Sequence, residues 1–156
     1  LIAEPKFDAA DRALLACLQN DAASRIDDLA DVAGLSVASV QRRIKRLKAE
    51  GIIEREVAVL NQTAVGHAMT FIVAVELERE RLDQLHAFQR AVKAEPQIQQ
   101  CYYVTGEADF VLICVAPDMD SFQALTHRLF FENQNVRKFR TSVVMGRTKV
   151  SLAVPV

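Results

Sequence analysis

Two short stretches carry residue types and spacings that could do chemistry. The first is "RRIKRLK", Arg42 to Lys48, with five cationic side chains in seven positions and no acidic residue between Asp31 and Glu50. Like charges one helical turn apart repel by about 0.2–0.5 kcal/mol per pair, and a solvated helix face usually interleaves both signs. A polyanion such as a phosphate backbone relieves that repulsion. The second stretch is "TGEAD", Thr105 to Asp109. Backbone N–H groups around a glycine can form an anion nest, and Glu107 or Asp109 can pair with an ammonium. Gly and Asp are equally the ordinary residues of a turn between two strands, whatever its function.

The remaining reactive side chains point to no enzyme chemistry. Cys17, Cys101 and Cys114 are scattered among apolar neighbours and form no CxxC pair. His67, His86 and His127 lack metal-ligand spacing, and no nucleophile–base pair is visible. No catalytic residue, metal or cofactor is expected. The longest largely apolar stretch, Ala68 to Val75, is far short of the roughly 18 residues of a spanning helix. No basic n-region leads into an apolar h-region, so a cytoplasmic protein without a membrane partner is expected. The sequence does not open with Met, so residues ahead of Leu1 are expected. A 51% hydrophobic chain of 156 residues can fill the core of one medium domain or two small ones. Its net charge of −1, with ten acids and nine bases in the first 60 residues, makes any basic footprint local.

The elements that must position these stretches follow from periodicity. "FDAADRALLACLQND" reads as a helix capped by Asp8, with Asp11 three residues on and Leu14, Leu15 and Leu18 inward. "SRIDDLADVAG" reads as a second helix, capped by Ser24 and ended by Gly34 in the left-handed conformation. A third starts from Ser36 and stops at Gly51. Its apolar positions Val37, Val40, Ile44 and Leu47 are spaced three, four, three, a narrow stripe that leaves Ser39, Arg42, Arg43 and Arg46 largely outward. Only Leu35 and Ser36 separate Gly34 from this helix, which is the helix-turn-helix arrangement. The small residues "SVAS" at its start permit close approach to base edges in a major groove. Double-stranded DNA is therefore the expected partner of Ser36, Ser39, Gln41, Arg42, Arg43, Lys45 and Arg46.

After residue 60 strands alternate with helices. "IIEREVAVL" reads as a strand and "NQTAVG" as a linker. Met69 to Leu77 form a strand, followed by a helix from "LDQLHAFQRAVKAEP" with Leu82, Leu85, Phe88 and Val92 inward. "IQQCYYVT" and "FVLICVA" are strands around "GEAD", "DMDSFQALTHRLFF" is a helix begun by Asp118, and "VRKFRTSVVMGRTKVSLAV" is a long strand, bent near Gly146. The order βαββαβ is the ferredoxin-like plan. Its helices cover one sheet face, and the other face carries apolar residues that need a partner. The fold class is thus α+β: a three-helix, winged-helix-like helix-turn-helix domain over residues 1–53, a strand and linker over 54–66, and a βαββαβ domain over 67–156.

"FDAADRALLACLQND", "LADVAGLSVASVQRRIKRLKAEGII" and "YYVTGEADFVLICVAPDMDSF" together resemble the Lrp/AsnC regulators, the feast/famine transcription factors that respond to amino acids. The resemblance runs from Phe7 to about Val150 in the right order. It implies that the second domain is a RAM domain that binds effector and oligomerises, pairing its sheet in a homodimer that assembles to an octamer or another higher oligomer. It places an amino acid or related small metabolite between RAM domains, near Tyr103, Thr105, Gly106, Glu107 and Asp109, with Met119, Ser142 and Val144 at further effector-response positions. Phe7 replaces a common Leu, Ala23 stands where the family usually has Arg, and Asn61-Gln62 replaces a frequent Asp-Pro. Some tetrapyrrole-modifying decarboxylases resemble the same architecture, and an effector-independent architectural DNA-binding protein is a third possibility, because fold alone does not fix function.

Overall fold

The computed structural model describes residues 7–79 and 81–156. They form two compact units, one made of the chain up to Val59 together with Lys149–Val156, the other of Leu60–Thr148.

The first unit holds three helices, α1 (Ala9–Leu18), α2 (Ile26–Ala33) and α3 (Val37–Ala49). Asp8 caps α1 in a reciprocal box: Asp11 N–H donates to Asp8 Oδ1 at 2.9 Å, and Asp8 N–H donates to Asp11 Oδ2 at 3.2 Å. α2 starts one residue later than its sequence suggests, with Arg25 at the cap and no side-chain capping bond. Ser24 is unavailable because its hydroxyl donates to the Asp21 carbonyl, closing the preceding turn. Asp27 and Asp28 in the first turn supply the negative charge that favours a helix start. Gly34 ends α2 at φ 64°, a conformation that costs a residue with a Cβ about 1 kcal/mol or more. Leu35 N–H then reaches back to the Ala30 carbonyl at 3.0 Å. Ser36 caps α3, accepting from Ser39 N–H. The core is Leu14, Leu29, Ala30 and Val40, with Ile26, Val37 and Ile44 packed around it.

Two expectations fail along this unit. Residues 52–60 form no strand, because no segment among the described residues offers them a ladder; Val59 is 92% exposed. The segment 149–156, expected to continue the last strand, joins the helical unit instead. There the Gln19 side-chain amide donates to the Val154 carbonyl at 2.8 Å, and Gln19 Oε1 accepts from Val154 N–H at 2.9 Å. The domain limits drawn at 54–66 and 67–156 therefore differ from the units observed.

The second unit contains β1 (Met69–Leu77), α4 (Leu82–Ala94), β2 (Ile98–Tyr103), β3 (Phe110–Ala116), α5 (Met119–Thr126) and β4 (Val136–Val143). The strands form one antiparallel sheet in the order β2-β3-β1-β4, the ferredoxin-like arrangement. Alternate residues Phe71, Val73, Val75 and Leu77 are buried with Phe110, Leu112, Cys114 and Ala116 of the adjacent strand. Phe88 and Val92 of α4 and Phe122 and Leu125 of α5 complete this core. The Phe71 and Phe122 rings stack at 3.7 Å. Burial in this apolar core pushes the Cys114 thiol up to about 12, with Cys101 and Glu95 adding to the shift. Leu82 is 71% exposed rather than inward. At about 100° per residue it stands roughly 120° around α4 from Phe88, outside the stripe of Leu85, Phe88 and Val92. α5 passes into a π-helical turn, His127–Phe131, that keeps Leu129 and Phe130 inside and Phe131 out.

Candidate nucleic-acid interface and effector loop

The structure divides the basic residues of α3 into two sets. Gln41, Arg42 and Lys45 are exposed and, with Ala38, make one outward stripe at helical spacing. Among the described residues no carboxylate pairs with Arg42 or Lys45 within 4 Å. Ser36, at the cap, is exposed, and Ser39, one turn on, is half-buried. Lys48 is tied to Glu56 at 2.9 Å.

Arg43 and Arg46, expected to point largely outward, both pair with carboxylates at the start of α1, Arg43 half-buried and Arg46 still exposed. Arg43 Nη1 donates to both oxygens of Asp8, at 2.9 and 2.8 Å, and to Asp11 Oδ1 at 2.9 Å. Its side chain is 22% exposed. Arg46 Nη2 donates to Asp11 Oδ2 at 2.5 Å. Asp11 is only 1% exposed, so a buried carboxylate is shared between two guanidiniums and the backbone N–H of Asp8. Burial pushes the Asp11 carboxyl up, but Arg43, Arg46 and the Asp8 N–H outweigh it and hold it below the usual carboxylate range. The Asp11 backbone N–H, followed by the Arg43 guanidinium, lowers Asp8 as well. Helical spacing explains the geometry. Arg43 lies three residues from Val40 and four from Leu47, on the flank of the buried stripe. Asp8 and Asp11, and Arg43 and Arg46, are both pairs three residues apart, so two carboxylates meet two guanidiniums. The matched spacing was the available signal.

In the second unit, Tyr103 ends β2, and Thr105, Gly106, Glu107 and Asp109 lie on the connection from it to β3. Gly106 has φ 126°, a region that favours glycine, and a Cβ there would meet open space. Glu107 is exposed and pairs with Arg140 at 3.3 Å, and Arg140 also holds Glu76 at 2.6 Å. Asp109, a candidate partner for an ammonium, already has work: its Oδ2 accepts from Leu77 N–H at 2.6 Å. Its own N–H donates to the Val75 carbonyl, and its carbonyl accepts from Val104 N–H. It stitches the end of β1 to the loop, with its other carboxylate oxygen left over. The Tyr103 ring rests 5.2 Å from Phe110.

Met119, Ser142 and Val144 do not join this loop. Ser142 pairs with Ile72, Val144 N–H donates to the Thr70 carbonyl, and Met119 follows β3, whose end pairs with Met69. These positions belong to the start of β1 and the loop to its end. From Ile72 to Leu77 the strand rises about 17 Å at about 3.4 Å per residue. Among the described residues no group of three or more His, Cys, Asp or Glu side chains could hold a metal, and no helix is long and apolar enough to cross a membrane.

Comparison with known proteins adds independent findings. A family described as the Lrp/AsnC ligand binding domain matches residues 70–154, and one described as a winged helix-turn-helix DNA-binding domain matches residues 7–54. The chain is 43% identical over 151 residues to an HTH-type transcriptional regulator of Sinorhizobium fredii, covering 97% of this chain and 89% of the other. The crystal structure of an AsnC family transcriptional regulator from Agrobacterium tumefaciens is similar with a TM-score of 0.90 and 28% identity, over 96% of this chain and 97% of that one. A transcriptional regulator of Neisseria meningitidis, solved as a complex with L-Met, is similar with a TM-score of 0.90 and 25% identity, over 96% of each chain.

Proposed function

The chain belongs to the Lrp/AsnC family of DNA-binding, effector-responsive transcriptional regulators, and on that footing we propose how its residues divide the work. α3 is the reading helix. Gln41, Arg42 and Lys45 meet the duplex from its exposed stripe, and Ser36 and Ser39 approach it from the helix N-terminus. Arg43 and Arg46 act as positioning residues that fix α3 against α1. The observation that carries this reading is the division of one basic helix into cations without carboxylate partners and cations shared with Asp8 and Asp11.

The effector is an amino acid or a related metabolite, as the L-Met complex of the Neisseria relative suggests. Glu107 is the carboxylate with most freedom to meet an ammonium, because Asp109 is engaged with backbone. One chain keeps the Gly106 loop and the Met119, Ser142 and Val144 group at opposite ends of β1, so a site using both groups needs two copies. The open sheet face supports the same need. Ile72 is 40% exposed there, and the register sets it beside Ile113 and Ala74 beside Val111. Apolar area of this kind favours association. The working form is a homodimer that builds a higher oligomer in the cytoplasm, and effector binding shifts the population of assemblies that present α3 to DNA. The reading contains no catalytic step.

Titration of operator DNA at several salt concentrations tests it. Arg42→Ala and Lys45→Ala should each reduce the slope of log K against log salt by about 0.9, one phosphate contact per protomer bound. Arg43→Ala should leave the slope of the folded protein unchanged while lowering its melting temperature. A slope reduction for Arg43→Ala equal to that for Arg42→Ala would sink the assignment of Arg43 as a positioning residue.

A further inference from the structure

A recess in the Leu60–Thr148 unit lies away from the Gly106 loop. It has a volume of about 410 Å³, within the size range of small-molecule sites. Its apolar side is Leu60, Ala68, Val144 and Met145, and its polar side includes Asn61, Gln62, Thr70 and Arg147. No acidic residue lines it. Arg147 is held by neutral partners alone: its Nη2 donates to Gln62 Oε1 and, at 2.7 Å, to Thr70 Oγ1. Gln62 Nε2 donates to the same Thr70 oxygen at 2.8 Å. Among the described residues no carboxylate pairs with Arg147 within 4 Å.

The donor count defines the chemistry. A guanidinium has five N–H donors, and two suffice for Gln62 and Thr70, so three remain. Thr70 Oγ1 accepts twice, which leaves its own proton to give. Asn61 Oδ1 accepts from Thr63 N–H and Ala64 N–H, and the Asn61 NH₂ group is a further donor. The recess thus offers one fixed positive charge, several donors and an apolar wall, with no negative charge to receive an ammonium.

The geometry points to a binding site for a small monocarboxylate that lacks an ammonium group, of which a 2-oxo acid is the best-matched class. Its carboxylate pairs with Arg147, its keto oxygen accepts from Thr70 or Asn61, and its aliphatic tail rests on Leu60, Ala68 and Val144. A free amino acid is disfavoured because its ammonium meets no carboxylate and lies near a guanidinium. The site also has a distinctive place in the chain. Gln62 lies two residues after the unit begins and Arg147 one residue before it ends, so their contact clips together the two points at which the chain enters and leaves this unit. A ligand that recruits Arg147 acts on that clip. The inference goes beyond the amino-acid site proposed at the Gly106 loop, shares with its effector-response positions only Val144, and does not depend on it.

Calorimetric titration of the full chain with pyruvate and 4-methyl-2-oxopentanoate, beside alanine, leucine and inorganic phosphate, tests the site. In the part of binding that Arg147→Met abolishes, the 2-oxo acids should bind at least tenfold more tightly than the matching amino acids and phosphate. Arg147→Met should weaken them at least tenfold, and Arg147→Lys, which keeps the charge, should weaken them less. In the unsubstituted protein, 2-oxo acids should protect Arg147 from phenylglyoxal, read by peptide mass, which keeps the test independent of any folding defect in a variant. Absence of 2-oxo acid binding up to about 10 mM, equal binding of phosphate, or unprotected Arg147 would overturn the inference. Binding of 2-oxo acids that Arg147→Met leaves unchanged would also overturn it, whereas amino-acid binding that the same variant leaves unchanged is the result expected for a separate site at the Gly106 loop.

Discussion

Asp11 shows how one residue can decide the fate of several others. It closes the capping box of α1, it is 1% exposed, and it accepts from two arginines of α3. A buried acceptor that loses its charge leaves both guanidiniums with weaker bonds. Asp11→Asn should therefore destabilise the chain by about 1–3 kcal/mol in urea unfolding. The pH dependence has a definite sign. Asp8 and Asp11 titrate lower in the folded chain than their ordinary value of 3.8. Their contribution is fully present above that value and is lost as pH falls through the lower folded values. Stability from this cluster should be level between neutrality and about pH 5 and decline below about pH 4, and Asp11→Asn should flatten the decline. A decline of equal steepness in the variant would show that other groups carry the acid sensitivity. None of this was legible in α3 alone. The sequence shows five cations in a row of seven, but the carboxylates that claim two of them lie more than 30 residues earlier in the chain.

At the scale of elements, local rules and long-range pairing part company. The stripe Val37, Val40, Ile44 and Leu47, the left-handed Gly34 and the alternation through β1 could all be read directly, because each is set by backbone period or by a single φ angle. Leu82 could be misplaced because steps of three drift around a helix, and residues 52–60 could be misread because alternation implies a strand only where a partner ladder exists. The loop after β2 likewise looks like a binding motif in sequence, while the structure gives Asp109 a backbone duty. Asp109→Ala strands the Leu77 N–H and should cost about 1–3 kcal/mol of stability. Glu107→Gln should leave the melting temperature unchanged and weaken binding of the proposed amino-acid effector severalfold in calorimetry across the amino acids. A Glu107→Gln protein that binds that amino acid normally would remove Glu107 from the effector site, and an Asp109→Ala protein as stable as the parent would refute its stitching role.

At the scale of the whole molecule, Ile72 on the open sheet face and most of residues 52–60 are exposed in the single chain. Ile72→Glu places a charge among Ile113, Ala74 and Val111, where burial against a second copy would be penalised by several kcal/mol. Sedimentation should then show a smaller species than the parent at equal concentration, with unchanged secondary structure by circular dichroism. An unaltered mass would move the interface elsewhere. The division of the chain into units has a temporal consequence as well. Leu60–Thr148 is inserted between the two parts of the helical unit, whose tail is fastened by Gln19 to Val154 across a separation of 135 residues. During synthesis the three helices emerge before Leu60–Thr148, yet the segment that fastens to them emerges after it. Closing a loop of that length carries only a slowly growing entropic cost, about 0.6 kcal/mol for each doubling, if the inserted unit has not already drawn the ends together. The helical unit therefore begins folding before its neighbour exists and is completed only after the neighbour has been made.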